Sequence, residues 1–205
     1  HSAADVGDEP LMMAARAPVI VARDRVAGAA LARDSGATVV VLDDGFQNPA
    51  LAKDASLIVI DAGRGVGNGG VFPAGPLRAP LALQVARTDA LVVIGDDRAA
   101  DGVIAAVAQH GAPVWHARLV PDPAAVERLG GRPVLAFAGI GDPARFFATL
   151  RASGINVVAE RMFGDHHPFT ADEIAQLAED ARAQALTLVT TEKDMARLRG
   201  DARLA

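Results

Sequence analysis

The sequence contains no cysteine, and this absence excludes several classes of protein. Without thiols there is no disulfide scaffold, no thiolate metal centre and no cysteine nucleophile. Lysine is scarce as well: the chain has only Lys53 and Lys193, and neither Lys nor Arg forms a run. Nucleic-acid binding usually needs a basic face, and the net charge here is −5, so we expect no nucleic-acid partner.

Long apolar runs and a phosphate-binding motif are also missing. No run approaches the roughly 20 residues that a membrane-spanning helix needs, and no signal peptide is visible. The pattern Gly-x-x-x-x-Gly-Lys-Ser/Thr, whose backbone amides hold nucleotide phosphates, does not occur. The chain begins at His1 and not at Met, so we expect that a preceding segment is missing.

What the sequence does contain predicts a globular α/β protein. Its 205 residues are 51% hydrophobic and 22% charged, which is enough for a substantial core. Apolar segments typical of strands alternate with helical segments, and this order predicts parallel sheets flanked by helices. The expected strands span residues 18–22, 38–42, 56–61, 90–94, 113–119, 133–140, 156–160 and 186–191.

Prolines at residues 121–123 mark the clearest boundary between domains. The segment just before them alternates apolar and polar side chains, which is typical of a strand with one exposed face. We therefore predict a first domain at residues 1–112, a linker at 113–132 that contains this strand, and a smaller α/β domain at 133–205.

The strand expected at residues 38–42 ends on two acids, Asp43 and Asp44. Its β-branched run is typical of a strand buried on both faces, and Gly45 then permits a sharp turn. Ligands collect at the carboxyl ends of strands in open α/β sheets, where an Asp holds Mg²⁺ in many NTPases. The pattern predicts an Mg²⁺ site at these two acids; the alternative is a pair of solvated carboxylates that end a buried strand.

Two further groups have the chemistry of a general acid–base site. Asp8 stands at a predicted helix start, where a carboxylate serves either as a base or simply as a cap. Asp165, His166 and His167 follow one another in a predicted loop between a strand and a helix. Imidazole titrates near neutral pH and shares protons with carboxylates, so this loop is a candidate site. The alternative is a surface loop in which the histidines are incidental.

Phosphate contacts are expected from basic side chains near loops. The glycine-rich loop at residues 65–70 precedes a proline-rich segment and not a helix, so it lacks the context of a phosphate loop. Arg78 lies just beyond it and can bind a phosphate with its planar guanidinium, or stay solvated. Lys193 stands where a strand passes into a helix, and it could meet a phosphate or form a surface ion pair.

Taken in order, these residues resemble the tetraacyldisaccharide 4′-kinase family, the lipid A kinases of Gram-negative bacteria. The resemblance covers essentially the whole chain, and its specificity comes from the ordered set of motifs. These motifs lie at residues 7–10, 24–25, 42–47, 67–69, 73–78, 137–143, 165–167 and 191–194.

The resemblance implies a fold and an activity. The fold would be a phosphate-loop-NTPase-like parallel sheet flanked by helices, with a second, smaller α/β domain joined by a strand linker and the nucleotide bound between the two. The activity would be transfer of the γ-phosphoryl group of ATP, with Mg²⁺, to the 4′-hydroxyl of an acylated glucosamine disaccharide phosphate. Such an enzyme sits peripherally on the cytoplasmic face of the bacterial inner membrane.

The resemblance also implies roles for individual residues. Asn48 stands where the family usually has His, and an amide cannot titrate, so a proton role there is lost. The family's phosphate loop and membrane-binding helix would precede Gly7, so we expect a truncated chain with little kinase activity of its own. The implied roles are a general base and its partner at Asp8 and His166, Mg²⁺ ligands at Asp43 and Asp44, and nucleotide or phosphate contacts at Gln47, Arg78 and Lys193.

Two other functions stay open on the sequence. Asp-His-His is also the motif of Mn²⁺-dependent phosphoesterases, although there it follows an early strand and here it lies late in the chain. The other possibility is a non-catalytic protein that binds a nucleotide or a lipid. Mn²⁺-dependent hydrolysis without ATP would favour the first, and tight binding without turnover would favour the second.

Overall fold

A computed structural model of the chain describes residues 1 and 3–198, which form nine helices and six strands; three helices come first, and strands and helices then alternate. Every pairing between these strands is parallel, as the alternation of elements predicts. The strands are β1 (Leu57–Asp61), β2 (Ala90–Ile94), β3 (Val114–Ala117), β4 (Val134–Ala138), β5 (Val157–Met162) and β6 (Thr187–Val189). The helices are α1 (Ala3–Val6), α2 (Asp8–Ala14), α3 (Arg25–Asp34), α4 (Leu81–Val85), α5 (Asp101–His110), α6 (Pro123–Leu129), α7 (Pro143–Ala152), α8 (Ala171–Ala183) and α9 (Glu192–Leu198).

The chain divides into two compact units. The central unit is Ala22–Val120, and the terminal unit combines His1–Val21 with Pro121–Ala205. The first 21 residues belong to the terminal unit because α2 packs against α9. The domain limits inferred from the sequence, 1–112, 113–132 and 133–205, stay a prediction, and residues 199–205 of the last range lie outside the described residues.

The central unit is built on a parallel sheet in the order β1-β2-β3. On one face of β2, Leu91 and Val93 are buried in a cluster that includes Val103 and Val107 of α5. On the other face, Val59 of β1 is 61% exposed. The strand predicted at 113–119 forms β3, which lies at the edge of this sheet and is mostly exposed.

Two predicted strands are absent from the described residues. Residues 18–22 and 38–42 form no ladder with any strand of this part of the chain. Val39 is 77% and Val41 is 87% exposed, so the prediction of a strand buried on both faces is wrong. An apolar β-branched run becomes a buried strand only where neighbours supply hydrogen-bond partners and a second layer covers its side chains. Neither condition is met here within the residues described.

The terminal unit has a second parallel sheet, in the order β5-β4-β6, with β4 buried at its centre. Successive side chains of a strand point to opposite faces. Val134, Ala136 and Ala138 therefore pack with Phe147 and Leu150 of α7. The alternate residues of β4 pack with α8 and α9, so helices cover both faces of this sheet.

The described helices are short, from four residues in α1 to 13 in α8. None in this part of the chain is long and apolar enough to cross a membrane. Side-chain caps mark where some of them begin: Asp142 accepts the N–H of Arg145 at 3.1 Å, with Pro143 at the first position of α7. Thr170 and Glu173 form a reciprocal capping box at the start of α8.

The glycine-rich loop after β1 is held by its own hydrogen bonds. The N–H of Gly65 donates to the carbonyl of Asp61 at 2.8 Å, and the amide of Asn68 donates to the carbonyl of Ala74 at 2.8 Å. Gly65 has a φ of 56°, and a Cβ there would overlap the backbone of Ala99. Close packing of two backbone segments therefore accounts for this glycine.

Replacement of Gly65 by Ala is expected to destabilise the central unit more than replacement of Gly69. Both have positive φ, 56° and 69°, so each carries a left-handed backbone cost of roughly 1 kcal/mol. A Cβ at Gly69 meets nothing within 4 Å, whereas at Gly65 it forces the Ala99 backbone to move, at an added cost of about 1–3 kcal/mol. Urea denaturation measures the difference, and equal free energies of unfolding for the two variants would contradict this packing.

The capping box of α8 predicts a pH-dependent stability. The backbone N–H of Thr170, then the His167 ring and the Thr170 hydroxyl, lower the pKa of Glu173 from 4.5 to about 2. Because the folded pKa is the lower one, this stabilisation is fully present above pH 4.5 and is lost as the pH falls towards 2. Between pH 4.5 and about 2, the free energy of unfolding measured by chemical denaturation should depend less on pH in Glu173→Gln than in the wild type. If the free energy of unfolding changes equally with pH in the two proteins, ionised Glu173 does not stabilise the fold in this way.

Candidate active site

A cluster of charged side chains gathers around Asp8 in the terminal unit. Asp8 begins α2 directly after Gly7, whose φ of 88° sets the entry of the chain into the helix. The Asp8 residue is only 7% exposed, which is unusual for an acid in the first turn of a helix. Its Oδ2 lies 3.2 Å from Nδ1 of His166 and 2.7 Å from Nε of Arg197. The structure therefore brings together Asp8 and His166, as the resemblance implies; their catalytic role stays a prediction.

The loop after β5 presents His166 to Asp8. The backbone N–H of His166 donates to the carbonyl of Gly139, just past the end of β4, at 3.0 Å. A second oxygen, Oδ1 of Asp165, accepts the same N–H at 3.0 Å, and His166 has a φ of 55°. These contacts fix the imidazole at the carboxyl end of β4, the edge at which ligands bind in open α/β sheets.

The neighbours of His166 assign its ring protons. Nε2 lies 3.4 Å from Nζ of Lys193, which can only donate, and 3.9 Å from Oδ1 of Asp165, so the nearer neighbour favours Nε2 as the acceptor nitrogen. The proton of the neutral ring is then on Nδ1, which donates to Asp8 Oδ2. Lys193 also donates to Oε1 of Glu9 at 3.0 Å. Lys193 thus lies beside the Asp8–His166 pair, and its predicted contact with the nucleotide stays a prediction.

The two oxygens of Asp8 have different surroundings. Oδ2 takes hydrogen bonds from His166 and Arg197, whereas Oδ1 takes one from the backbone N–H of Glu9, at 3.0 Å. Burial raises the pKa of Asp8, but the hydrogen bond and charge of Arg197, the charge of Lys193 and the charge that His166 carries when its ring is protonated outweigh it and bring the pKa below the ordinary 3.8. Asp8 is therefore a carboxylate at neutral pH, and among the described residues its Oδ1 has one hydrogen-bond donor where Oδ2 has two.

Sequence reasoning missed Arg197 and the structural role of Asp194. Asp194 is fully buried and accepts hydrogen bonds from Arg197 Nη1 at 2.9 Å and from Thr191 Oγ1 at 2.7 Å. Arg197 follows Asp194 by three residues, a spacing that places both on one face of α9. That spacing, beside the Thr-Glu-Lys-Asp motif, is the signal in the sequence that points to Arg197.

His166 and His167 lie in different surroundings. The ring of His167 stacks on Phe163 with centroids 4.9 Å apart, and its Nε2 lies 2.9 Å from Glu173. Within the described residues, no group of three or more His, Asp or Glu side chains is arranged to hold a metal ion. The two histidines therefore have different carboxylate partners, Asp8 for His166 and Glu173 for His167.

The second set of predicted residues lies in the central unit. Asp43 and Asp44 form an exposed turn, in which Asp44 has a φ of 51°. Arg78 donates to Oδ2 of Asp44 at 2.9 Å, and both side chains are largely exposed, so this ion pair adds little stability. Gln47 donates to the side chain of Gln84 at 3.0 Å. The structure thus brings Arg78 to the acidic pair, whereas Gln47 contacts another residue.

The acidic pair has the donor chemistry that Mg²⁺ prefers. Mg²⁺ takes oxygen ligands, commonly one or two protein carboxylates together with substrate phosphates and water. Asp43 and Asp44 supply two carboxylates on adjacent exposed residues, and an exposed ion pair with Arg78 is weak enough to yield to a cation. Asn48 lies a few residues further along, where its Oδ1 accepts the N–H of Ala50 at 2.9 Å.

The sequence is similar to known kinases over nearly its whole length. A family model described as Tetraacyldisaccharide-1-P 4'-kinase matches residues 1–205. A tetraacyldisaccharide 4'-kinase of Rhodopseudomonas palustris (strain BisB5) is 71% identical over 202 residues, which are 98% of this chain and 60% of the relative. The enzyme of that name from Bradyrhizobium sp. (strain BTAi1) is 66% identical over 200 residues, 98% of this chain and 58% of the relative. The chain thus spans about 60% of the length of the relatives it matches.

The fold is similar to that of a solved structure of the same kind. It is the "apo" form of LpxK from Aquifex aeolicus in complex with ATP, which is 28% identical and matches with a TM-score of 0.67. The match covers 98% of this chain and 62% of that one. Since the family model matches all 205 residues and the relatives agree with it, the chain belongs to the tetraacyldisaccharide-1-P 4'-kinase family.

Proposed function

We propose that the protein transfers the γ-phosphoryl group of ATP to the 4′-hydroxyl of a tetraacyl glucosamine disaccharide 1-phosphate, a step of lipid A biosynthesis. The observation that carries this proposal is the buried Asp8 carboxylate, within hydrogen-bond distance of His166 and Arg197. The names of the relatives supply the reaction and the acceptor, and the ATP complex of the structural neighbour supplies the donor.

Asp8 acts in this proposal as the base that receives the proton of the acceptor hydroxyl. His166 and Arg197 occupy Oδ2, so the proton goes to Oδ1. A carboxylate with a lowered pKa suffices, because the transition state of phosphoryl transfer is loose and needs little proton removal before the bond to phosphorus forms. His166 orients the carboxylate through its Nδ1–H, and Lys193 holds the opposite ring nitrogen.

In this proposal, other residues neutralise the charge on the transferred phosphoryl group. Asp43 and Asp44 would hold Mg²⁺, which when bound neutralises charge on the phosphates. Arg78 would contact a phosphate with its guanidinium once Asp44 binds the cation, and Gln47 and Lys193 would contact the nucleotide or the substrate phosphate. Asp8 and the acidic pair therefore have separate tasks, proton removal and charge neutralisation.

In this proposal, the acylated disaccharide that accepts the phosphoryl group determines where in the cell the enzyme works. A disaccharide with four acyl chains is held in a bilayer, so the enzyme must work at a membrane surface. We assign that surface to the cytoplasmic face of the inner membrane of a Gram-negative bacterium, where ATP is present, with peripheral attachment. Sedimentation with vesicles that contain the acceptor tests the attachment, and equal partition with and without vesicles would count against it.

Asp8→Asn is expected to abolish most phosphoryl transfer by the protein. Loss of a positioned general base lowers kcat by about 100-fold or more. His166→Ala should lower kcat less, and His166→Asn should retain more activity than His166→Ala, because its amide can still donate near the Nδ1 position. Transfer from labelled ATP to the disaccharide measures all three, and Glu192→Gln, at an exposed ion pair of α9, is the control.

The ATP affinity of each variant separates catalysis from folding. We expect unchanged ATP binding in Asp8→Asn together with the loss of turnover. If Asp8→Asn turns over as fast as the wild type, Asp8 is not the base. If the wild-type protein transfers no phosphate to any acylated disaccharide, the proposed function is wrong.

The proposed Mg²⁺ ligands predict a second effect. Asp43→Asn and Asp44→Asn should each raise the Mg²⁺ concentration that gives half-maximal rate by about tenfold or more. Asp54→Asn, at an exposed acid of the same unit, is the control and should leave that concentration unchanged. Kinetics at fixed ATP over a range of Mg²⁺ provide the measurement. An unchanged Mg²⁺ dependence in both variants would assign the metal to other residues.

A further inference from the structure

One buried side chain joins the three segments that carry the Asp8 cluster. Arg197 of α9 has a side-chain exposure of 9%, and its Nε donates to Asp8 Oδ2 at 2.7 Å. Its Nη1 donates to the carbonyl of Gly139 at 2.9 Å, and this same carbonyl accepts the backbone N–H of His166 at 3.0 Å. The start of α2, the residue after β4 and the His166 loop therefore meet at one guanidinium.

Asp194 holds this guanidinium in place. Its Oδ1 accepts from Arg197 Nη1 at 2.9 Å, and its two oxygens accept the N–H of Gly139 at 3.2 and 3.1 Å. Thr191 adds a hydroxyl donor at 2.7 Å. Arg197 is thus fixed between two carboxylates, Asp194 on its own helix and Asp8 on α2.

We propose that Arg197 is a positioning residue that holds Oδ2 of Asp8 beside His166 and leaves Oδ1 to receive the proton of the acceptor. This inference rests on the proposed role of Asp8 as the base. A planar guanidinium can serve Asp8, Asp194 and a carbonyl at fixed angles, whereas a lysine ammonium is a point charge that cannot span them. The contact between Asp8 and His166 therefore depends on the shape of Arg197 as well as on its charge.

The space around Gly139 provides a second route to the same test. A Cβ on Gly139 would lie 3.3 Å from Arg197 Nη1, 3.3 Å from Asp194 Oδ1 and 3.2 Å from His167 Cβ. The φ of Gly139 is not in the left-handed region, so Gly139→Ala adds crowding without backbone strain. At these distances the side chain of Arg197, Asp194 or His167 must shift by a few tenths of an ångström, while every charge of the cluster is retained.

Four variants separate positioning from stability. Arg197→Met removes the charge, and Arg197→Lys keeps the charge but lacks the planar guanidinium. Gly139→Ala keeps the guanidinium and crowds it. Arg16→Met is the matched control, because Arg16 pairs with Glu192 of α9 at 2.7 Å on the surface and does not contact Asp8. Proton–nitrogen correlation spectra first establish which variants fold; Arg197→Lys keeps the test decisive if Arg197→Met does not fold.

The first readout needs no kinase activity. Carbon-detected titration of the Asp8 carboxyl in the 205-residue chain should show that the pKa of Asp8 rises in Arg197→Met, rises less in Arg197→Lys and stays at the wild-type value in Arg16→Met. The physical cause is loss of the hydrogen bond and charge that lower it. A pKa of Asp8 that is equal in the wild type and Arg197→Met would overturn the inference.

The second readout is kinetic. We expect kcat to fall by about 10- to 100-fold in Arg197→Met and Arg197→Lys, since a displacement near 1 Å can cost that much, with the KM for ATP unchanged. In the pH profile of kcat/KM, the acid limb should move to higher pH in Arg197→Met, because the pKa of Asp8 is expected to rise. A purely structural role would lower the melting temperature and the active fraction without moving that limb, and this result would overturn the inference.

The two proposals fail in different ways. If the titration shows the expected rise but the wild-type enzyme transfers no phosphate, the proposed function fails and the contact of Arg197 with Asp8 stands. If the wild type is active and Asp8→Asn is not, but all Arg197 variants keep the wild-type kcat and pH profile, the positioning role fails and the function stands.

Discussion

The hydrogen-bonded ion pair between Arg197 and Asp8 is the contact on which the rest of the site depends. Removing a carboxylate from water is costly unless donors replace the lost solvent, and Asp8 is 7% exposed. Arg197 supplies the charge and one donor, and His166 supplies a second donor to the same oxygen. This arrangement keeps the carboxylate charged and orients it, which are the two properties that a base in phosphoryl transfer needs.

The fold explains how such a cluster forms from distant parts of the chain. β4 is buried on both sides, so the residue after it, Gly139, has a fixed position at the carboxyl end of the strand. The backbone of Gly139 binds the His166 loop and Asp194, and Asp194 fixes Arg197. α2 completes the site by packing against α9. The charged side chains are therefore positioned by backbone contacts at the end of β4 and by the buried, hydrogen-bonded carboxylate of Asp194.

Local patterns predicted the α/β class and the parallel sheets, because periodicity and end signals act over short distances. The run at residues 38–42 was interpreted wrongly for a physical reason: an apolar β-branched segment does not reveal whether a partner strand lies beside it, and Val41 is 87% exposed. Asp8 and His166 are 158 residues apart, and only resemblance to a family, not spacing, suggested their contact. Arg197 was missed because most of its partners, among them Asp8 and Gly139, are distant in the sequence, and only Asp194 lies nearby.

The protonation of the His166 ring tests the central claim most directly. Long-range nitrogen–proton correlation spectra of the 205-residue chain at neutral pH distinguish a proton on Nδ1 from one on Nε2. If the ring donates to Asp8 and accepts from Lys193, as the distances of 3.2 and 3.4 Å indicate, the neutral ring carries its proton on Nδ1. A neutral ring protonated on Nε2 would show that His166 does not donate to Asp8, and the account of the site would be wrong.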